Sequence, residues 1–398
     1  MTDVKDVDLY YDPFDFAIDD DPYPVWRRMR EEAPLYYNEK YDFYALSRYE
    51  DVSRELSNWQ TYRSGRGTTM DVIKSGIEVP PGVILFEDPP LHDLHRRLLS
   101  KVFTPRRMAA IEPLVRDFCT RALDALAGSE SFDLIGDLGA QIPMRTIGYL
   151  LGIPETDQAR IRDRTGRAIG LKEGTFRPAT ADAFENSYQL FADYIEWRAD
   201  HPSDDLMTQL LNAQIEENGQ LRPLTRTEVL TYTSMIAGAG NETTTRLVGF
   251  IGQLLAEHPD QRRELVADFS LIPAAIEEVL RFQAPSPVQA RYVAHDTECY
   301  GQTIPEGSIM LLLNGSANRD ERQYPDGESF DIHRNAPHLS FGQGIHFCLG
   351  SALARMQARV VLEEMLTRWP EWDVDYSGAQ MAHTASVRGW GKLPIRVG

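Results

Sequence analysis

Cys348 stands in Phe341-Gly342-Gln343-Gly344-Ile345-His346-Phe347-Cys348-Leu349-Gly350, followed by Ser351 to Leu366, a run rich in Ala, Leu, Met, Gln and Arg that reads as a helix. Glycines let the main chain turn tightly and approach a flat ligand. A helix starting just after a thiol offers it unpaired N–H groups and the positive end of a dipole. Both favour the thiolate, the form that binds a metal or attacks as a nucleophile. A second reactive pair lies in Ala237-Gly238-Ala239-Gly240-Asn241-Glu242-Thr243-Thr244-Thr245. Glu242 and Thr243 place an acid beside a hydroxyl, and small residues at Ala239 and Gly240 leave room for a bulky planar group. Two glycines and three consecutive β-branched residues make a poor helix interior, so something other than helix stability selected this stretch.

The elements that must position these groups are mainly helical. Thr225 and Glu228 form a capping box, and His258-Pro259 ends the pattern, so Arg226 to Glu257 is predicted as one helix about 48 Å long. Apolar residues at three-to-four spacing predict further helices over Pro24–Glu32, Arg106–Ala127, Met144–Leu151, Ala181–Ala199, Pro273–Phe282 and Ser351–Arg368. Leu35 to Ser47 reads as a strand pair turning at Glu39-Lys40, and strand-like runs recur at Gln289–Val293, Ser308–Leu313 and Leu393–Val397. The fold class expected is mainly α with a small β part. No linker, repeat or low-complexity tract divides the 398 residues, so a single domain over 1–398 with a tail at 1–20 is expected.

The net charge of −19 argues against a nucleic-acid or anionic-membrane binder. Three cysteines, Cys119, Cys299 and Cys348, are too few and too scattered for a disulfide framework or an iron–sulfur cluster, which points to a reducing cytoplasm. Met1 to Pro22 is acidic and aromatic, with neither a signal-peptide pattern nor an apolar run of membrane-anchor length. A monomer is expected.

The cysteine stretch resembles the haem-binding loop of the cytochrome P450 family, F-G-x-G-x-H-x-C-x-G-x-x-L-A-R, at every fixed position through Leu353-Ala354-Arg355. A thiol phosphatase loop needs histidine directly before its cysteine and arginine six after it, where this chain has Phe347 and Ala354. The resemblance implies that Cys348 is the proximal ligand of haem b iron, with Phe341, Gly342, Gly344, His346, Gly350 and Ala354 around the cofactor. It implies that Ala239 and Gly240 face the haem, and that Glu242 and Thr243 relay protons to bound oxygen; Asn241 and Glu242 replace the family's frequent His and Asp. His92, Arg96, Arg291 and His346 resemble the positions that bind the haem propionates. Glu278, Arg281 and Arg334 resemble the set that locks the cysteine loop to the preceding helix, a structural role.

The activity implied is dioxygen-dependent oxidation of a hydrophobic molecule such as a lipid, terpenoid or steroid. By resemblance the pocket comprises Thr68–Phe86, Ala168–Pro178, Ile236, Ala239, Val288, Gln289, Ser386 and Val387. No flavin or nicotinamide fold is recognisable, so electrons must come from partners, a ferredoxin and its reductase. Arg96, Arg97, Lys101, Arg106 and Arg107, with Arg355 and Arg359, could form the basic patch that steers such a partner. A non-catalytic haem sensor or carrier would not need the Glu242-Thr243 pair, and a peroxide-driven enzyme would commonly lack it.

Overall fold

The computed structural model describes residues 9–168, 170–217 and 219–398. The first eight residues of the expected tail, and position 169 in the expected 168–178 pocket stretch, lie outside the described residues. Helices dominate, and a five-stranded sheet orders Leu35–Asn38, Phe43–Leu46, Ile309–Leu312, Gln289–Val293 and Tyr62–Arg63 across its width. Its pairs are antiparallel except the central parallel pair of Ile309–Leu312 with Phe43–Leu46. Among the described residues no helix is long and apolar enough to cross a membrane.

The long helix runs from Arg226 to Glu257, as its caps predict. The Thr225 hydroxyl accepts from the Glu228 N–H at 3.2 Å, and the Glu228 carboxylate accepts from the Thr225 N–H at 2.7 Å. Its second half is buried on nearly every side: Leu247, Val248, Phe250, Ile251, Leu254 and Leu255 join the largest core cluster. The helix over Ser351–Arg368 contributes Leu353, Val360, Val361 and Leu366 to the same cluster, so the cysteine loop is rooted in the main core. In the unfavourable middle of the long helix, Thr243 and Thr245 donate their hydroxyls to the carbonyls of Ala239 and Asn241, at 3.1 and 2.9 Å. These bonds satisfy the hydroxyls four residues back along the helix.

Several elements escaped the periodicity reading. Tyr49–Ser57 is a helix whose first N–H, on Tyr49, is capped by the Asp320 carboxylate at 2.9 Å, across 271 residues of sequence. Leu134–Gly139 forms a π-turn, and Gln380–His383 pairs with Arg388–Lys392 as a hairpin.

Two adjacent carboxylates on the helix Ile272–Phe282 hold the segment leading to the cysteine. Glu278 accepts two bonds of 2.7 Å from the fully buried Arg281 and one of 3.3 Å from Arg334. Arg281 also donates to the carbonyls of Asn318, Gly327 and Ser329, and Arg334 to those of Pro325 and Asp326. Glu277 serves the other side, where Arg355 grips it with two bonds of 2.7 Å and His338 lies at 3.2 Å. The Arg355 guanidinium stacks 4.5 Å from the centre of the Phe341 ring. Burial pushes the Glu277 carboxyl up, but the bonds from Arg355 and His338 outweigh it and bring it down to about 2.

A folded-state value below the usual 4.5 means that this pair stabilises the fold above pH 4.5 and that the contribution disappears as pH falls toward 2. Urea unfolding of wild type and Glu277→Gln from pH 3 to 7 should show a constant gap above pH 5 that narrows below 4.5. About 1–2 kcal/mol is expected at the plateau, because Arg355 is partly exposed and solvent screens the pair.

Candidate functional site: the loop around Cys348

The cysteine loop closes on itself. The Cys348 N–H donates to the Phe341 carbonyl at 2.8 Å, and the Gly342 N–H donates to Leu339 at 2.8 Å. Gly342 and Gly344 both take left-handed φ values, +68° and +69°. A Cβ on Gly344 would lie 3.0 Å from the Ser57 α-carbon, so that glycine also lets the loop press against the neighbouring helix. Gly350 caps the following helix, accepts the Ala354 N–H at 2.9 Å, and points its own N–H at the sulfur.

The sulfur itself departs from the expectation. Burial pushes the Cys348 thiol up, and the Gly350 N–H, Arg96 and Arg355 oppose that only in part. Helix start and glycine turn are present, yet desolvation of the anion outweighs them in the protein alone. A bound cation at the sulfur would reverse the balance, since a metal deprotonates a thiol that ligates it.

Donors gather beside the loop. Arg96 donates to the Phe347 carbonyl at 2.6 Å, and the His92 ring meets the His346 ring edge to face at 4.5 Å. His92 and His346 each keep a buried Nε2 with no hydrogen-bond partner. Arg291 is buried and makes one bond of 2.8 Å, to the Ala290 carbonyl; burial lowers it to about 10, opposed by Asp88. His346 is pushed down to about 3, first by burial and then by the charges of Arg291, His92 and Arg96, so these groups share one neighbourhood. Buried ring nitrogens left without a partner are costly unless a ligand satisfies them. Among the described residues no group of three or more His, Cys, Asp and Glu is placed to hold a metal.

On the long helix, Ala239 is exposed and Thr243 lies one turn beyond it on the same face. Gly240 does not face that side. A Cβ there would meet the Ile147 side chain at 2.6 Å, so the expected cofactor contact at Gly240 is replaced by close packing against the helix Gln141–Leu151. Glu242 and Thr243 are neighbours in sequence and diverge in space. Arg246, four residues on, holds the Glu242 carboxylate at 2.6 Å while also donating to the Trp390 carbonyl. Asn241 is buried and donates to Ala237 at 2.7 Å. Arg246 was readable as an i,i+4 partner of Glu242, whereas Glu277 carried no local signal.

A cavity of about 480 Å³ is lined by Thr68, Phe86, Leu171, Val288, Ser386 and Val387, among others. Three singly expected pocket residues lie elsewhere, Ala239 among them. Ile236 packs into the main core, and Gln289 turns to donate to the Ser286 hydroxyl at 2.9 Å. The expected basic patch is also smaller. Arg355 is committed to Glu277, and Arg359 to Glu112 and Glu363. Arg97, Lys101 and Arg106 are exposed and unpaired among the described residues.

Known proteins match this arrangement. The cytochrome P450 family model matches residues 179–377. Cytochrome P450 130 of Mycobacterium tuberculosis is 35% identical over 388 residues, 94% of this chain and 95% of the relative. The erythromycin C-12 hydroxylase of Saccharopolyspora erythraea is 35% identical over 380 residues, 93% of each. The structure of cytochrome P450 CYP109Q5 from Chondromyces apiculatus superposes with a TM-score of 0.85 at 33% identity, covering 97% of this chain and 98% of that one. With a free cysteine in a glycine-turned loop, unpartnered ring nitrogens beside it and this breadth of likeness, the chain belongs to the cytochrome P450 family and is a haem-dependent monooxygenase.

Proposed function

We propose that this single-domain, cytoplasmic protein hydroxylates an apolar small molecule of the lipid, terpenoid or steroid kind, taking electrons from a ferredoxin and its reductase. The observation that carries the reading is the pair of unpartnered buried Nε2 atoms on His92 and His346, with the buried Arg291 guanidinium in the same neighbourhood, around the free Cys348. In the overall reaction a C–H bond becomes C–OH, and the second oxygen atom leaves as water with two electrons and two protons from the reductant. The apolar lining of the cavity, including Phe86, Leu171, Val288 and Val387, suits such a substrate. All three cysteines are free, in keeping with a reducing compartment.

Haem b, held through Cys348, supplies the iron at which dioxygen is activated. The protein's own residues do the rest. Phe341, Gly342, Gly344, Gly350 and Ala354 shape the loop that would support the cofactor, and Ala239 would leave space for it. His92, Arg96, Arg291 and His346 would hold the propionates, while Glu278, Arg281 and Arg334 fix the segment that carries the loop. Thr243 holds a proton at its hydroxyl on the open face of the long helix, and Glu242, oriented by Arg246, would be the acid that resupplies it.

Reduced protein under carbon monoxide should show the red-shifted main absorption band of thiolate ligation, and Cys348→Ala should lose it. A band at the imidazole-ligated position in wild type contradicts the reading. In Thr243→Ala, ligand binding and reduction should persist while product per reductant drops about tenfold or more and peroxide accumulates; unchanged coupling would remove Thr243 from the relay. Arg97→Glu should slow reduction by ferredoxin roughly tenfold at low salt and flatten its salt dependence. Equal rates for the two proteins at every salt concentration would place the docking surface elsewhere.

A further inference from the structure

His95 takes no part in the chemistry described above, yet it is the most enclosed ionisable side chain on the helix Leu91–Ser100, with no exposed surface. Its Nδ1 lies 2.9 and 2.8 Å from the two carboxylate oxygens of Glu87, so Nδ1–H donates to that carboxylate. Its Nε2 has no hydrogen-bond partner and lies 3.9 Å from Glu228 at the start of the long helix. Tyr232 meets the ring edge-on at 5.5 Å. An ordinary core histidine is satisfied by one carbonyl. This one sits between two buried carboxylates from two other segments.

Those segments matter for the cavity. The Glu87 carboxylate also accepts the Gly82 N–H at 2.6 Å, closing a short loop whose Phe86 lines the cavity. Gly82 rests on the long helix so closely that a Cβ would lie 3.2 Å from the Thr231 side chain. Glu228 is anchored from outside by Arg222, at 2.8 and 2.9 Å, and by the Thr225 cap. On the same helix as His95, His92 and Arg96 turn toward the cysteine loop.

We propose that His95 is a positioning residue for the oxygenation: bonded to Glu87 and packed edge-on against Tyr232 of the long helix, it holds the segment Gly82–Phe86, whose Phe86 lines the cavity, against that helix while His92 and Arg96 serve the cofactor edge. This rests on the reading of the cavity as the substrate's. Without the imidazole, Glu87 loses its only side-chain donor among the described residues, and the wall detaches while the main core remains.

The test uses haem-loaded protein and hydrogen–deuterium exchange read by mass spectrometry. In His95→Leu, residues 79–90 should exchange roughly tenfold faster or more, with residues 351–368 unchanged. In His95→Gln, whose amide N–H can still reach Glu87, protection should largely return. Affinity for 4-phenylimidazole, read by difference spectroscopy, should follow the same order. Exchange that rises equally in 351–368, or azole affinity identical in all three proteins, overturns the proposal by making His95 a general core residue or a bystander. If His95→Leu does not accumulate, Glu87→Gln supplies the same comparison, with the same local loss of protection expected. The carbon monoxide spectrum of wild type is recorded first, so that failure of the haem-thiolate reading appears there and failure of the His95 clamp appears in the exchange map.

Discussion

A sulfur that must become an anion in a place that disfavours anions is the constraint on which the rest of this molecule depends. Burial raises the Cys348 thiol, and one N–H with two arginines opposes burial only in part. The charge of a metal bound at the sulfur would complete the balance. What the polypeptide can supply is position. It does so through a chain of short bonds: the Cys348 N–H to Phe341, Phe341 under Arg355, Arg355 to Glu277, and Glu278 to Arg281 and Arg334. A loop held this way presents its sulfur whether or not the sulfur is charged, so the site is pre-organised before its ligand arrives.

The division of labour between neighbouring residues follows from helix geometry. Glu277 and Glu278 point to different sides of one helix and serve different clients, one the post-cysteine helix and one the segment from Asn318 to Arg334. His92 and Arg96 likewise turn to the cysteine loop while His95 turns to the long helix. Residues one apart on a helix differ by about 100°, so short motifs necessarily mix functional and supporting side chains.

This also explains what could be read from the sequence. The long helix, its capping box and the cysteine loop were legible because their signals are local: a cap three residues from its partner, glycines at left-handed positions, a helix starting behind the thiol. Gly240 was misassigned because a glycine beside Ala239 reads the same whether it faces a ligand or a neighbouring side chain, and only packing brings Ile147 against it. Ile236 was lost to the core for the same reason. The cap of Tyr49 by Asp320, the grip of Arg355 on Glu277 and the clamp on His95 join residues remote in the chain, or on different elements, and no spacing rule reports them. The basic patch shrank on similar grounds, since Arg359 has partners that sequence proximity does not name in full.

The long helix shows how these demands coexist. Its first turn is fixed by Thr225, Glu228 and Arg222, and its second half by the core around Leu247 to Leu255. Between these fixed ends the helix carries Gly240, Asn241 and Thr243 to Thr245, residues of low helix propensity, and the Asn241, Thr243 and Thr245 side chains bond back to carbonyls four residues earlier. A free helix with that centre would fray there. Held at both ends, it can keep an open face at Ala239 and Thr243 and a close-packed one at Gly240, which is the asymmetry a buried planar cofactor requires.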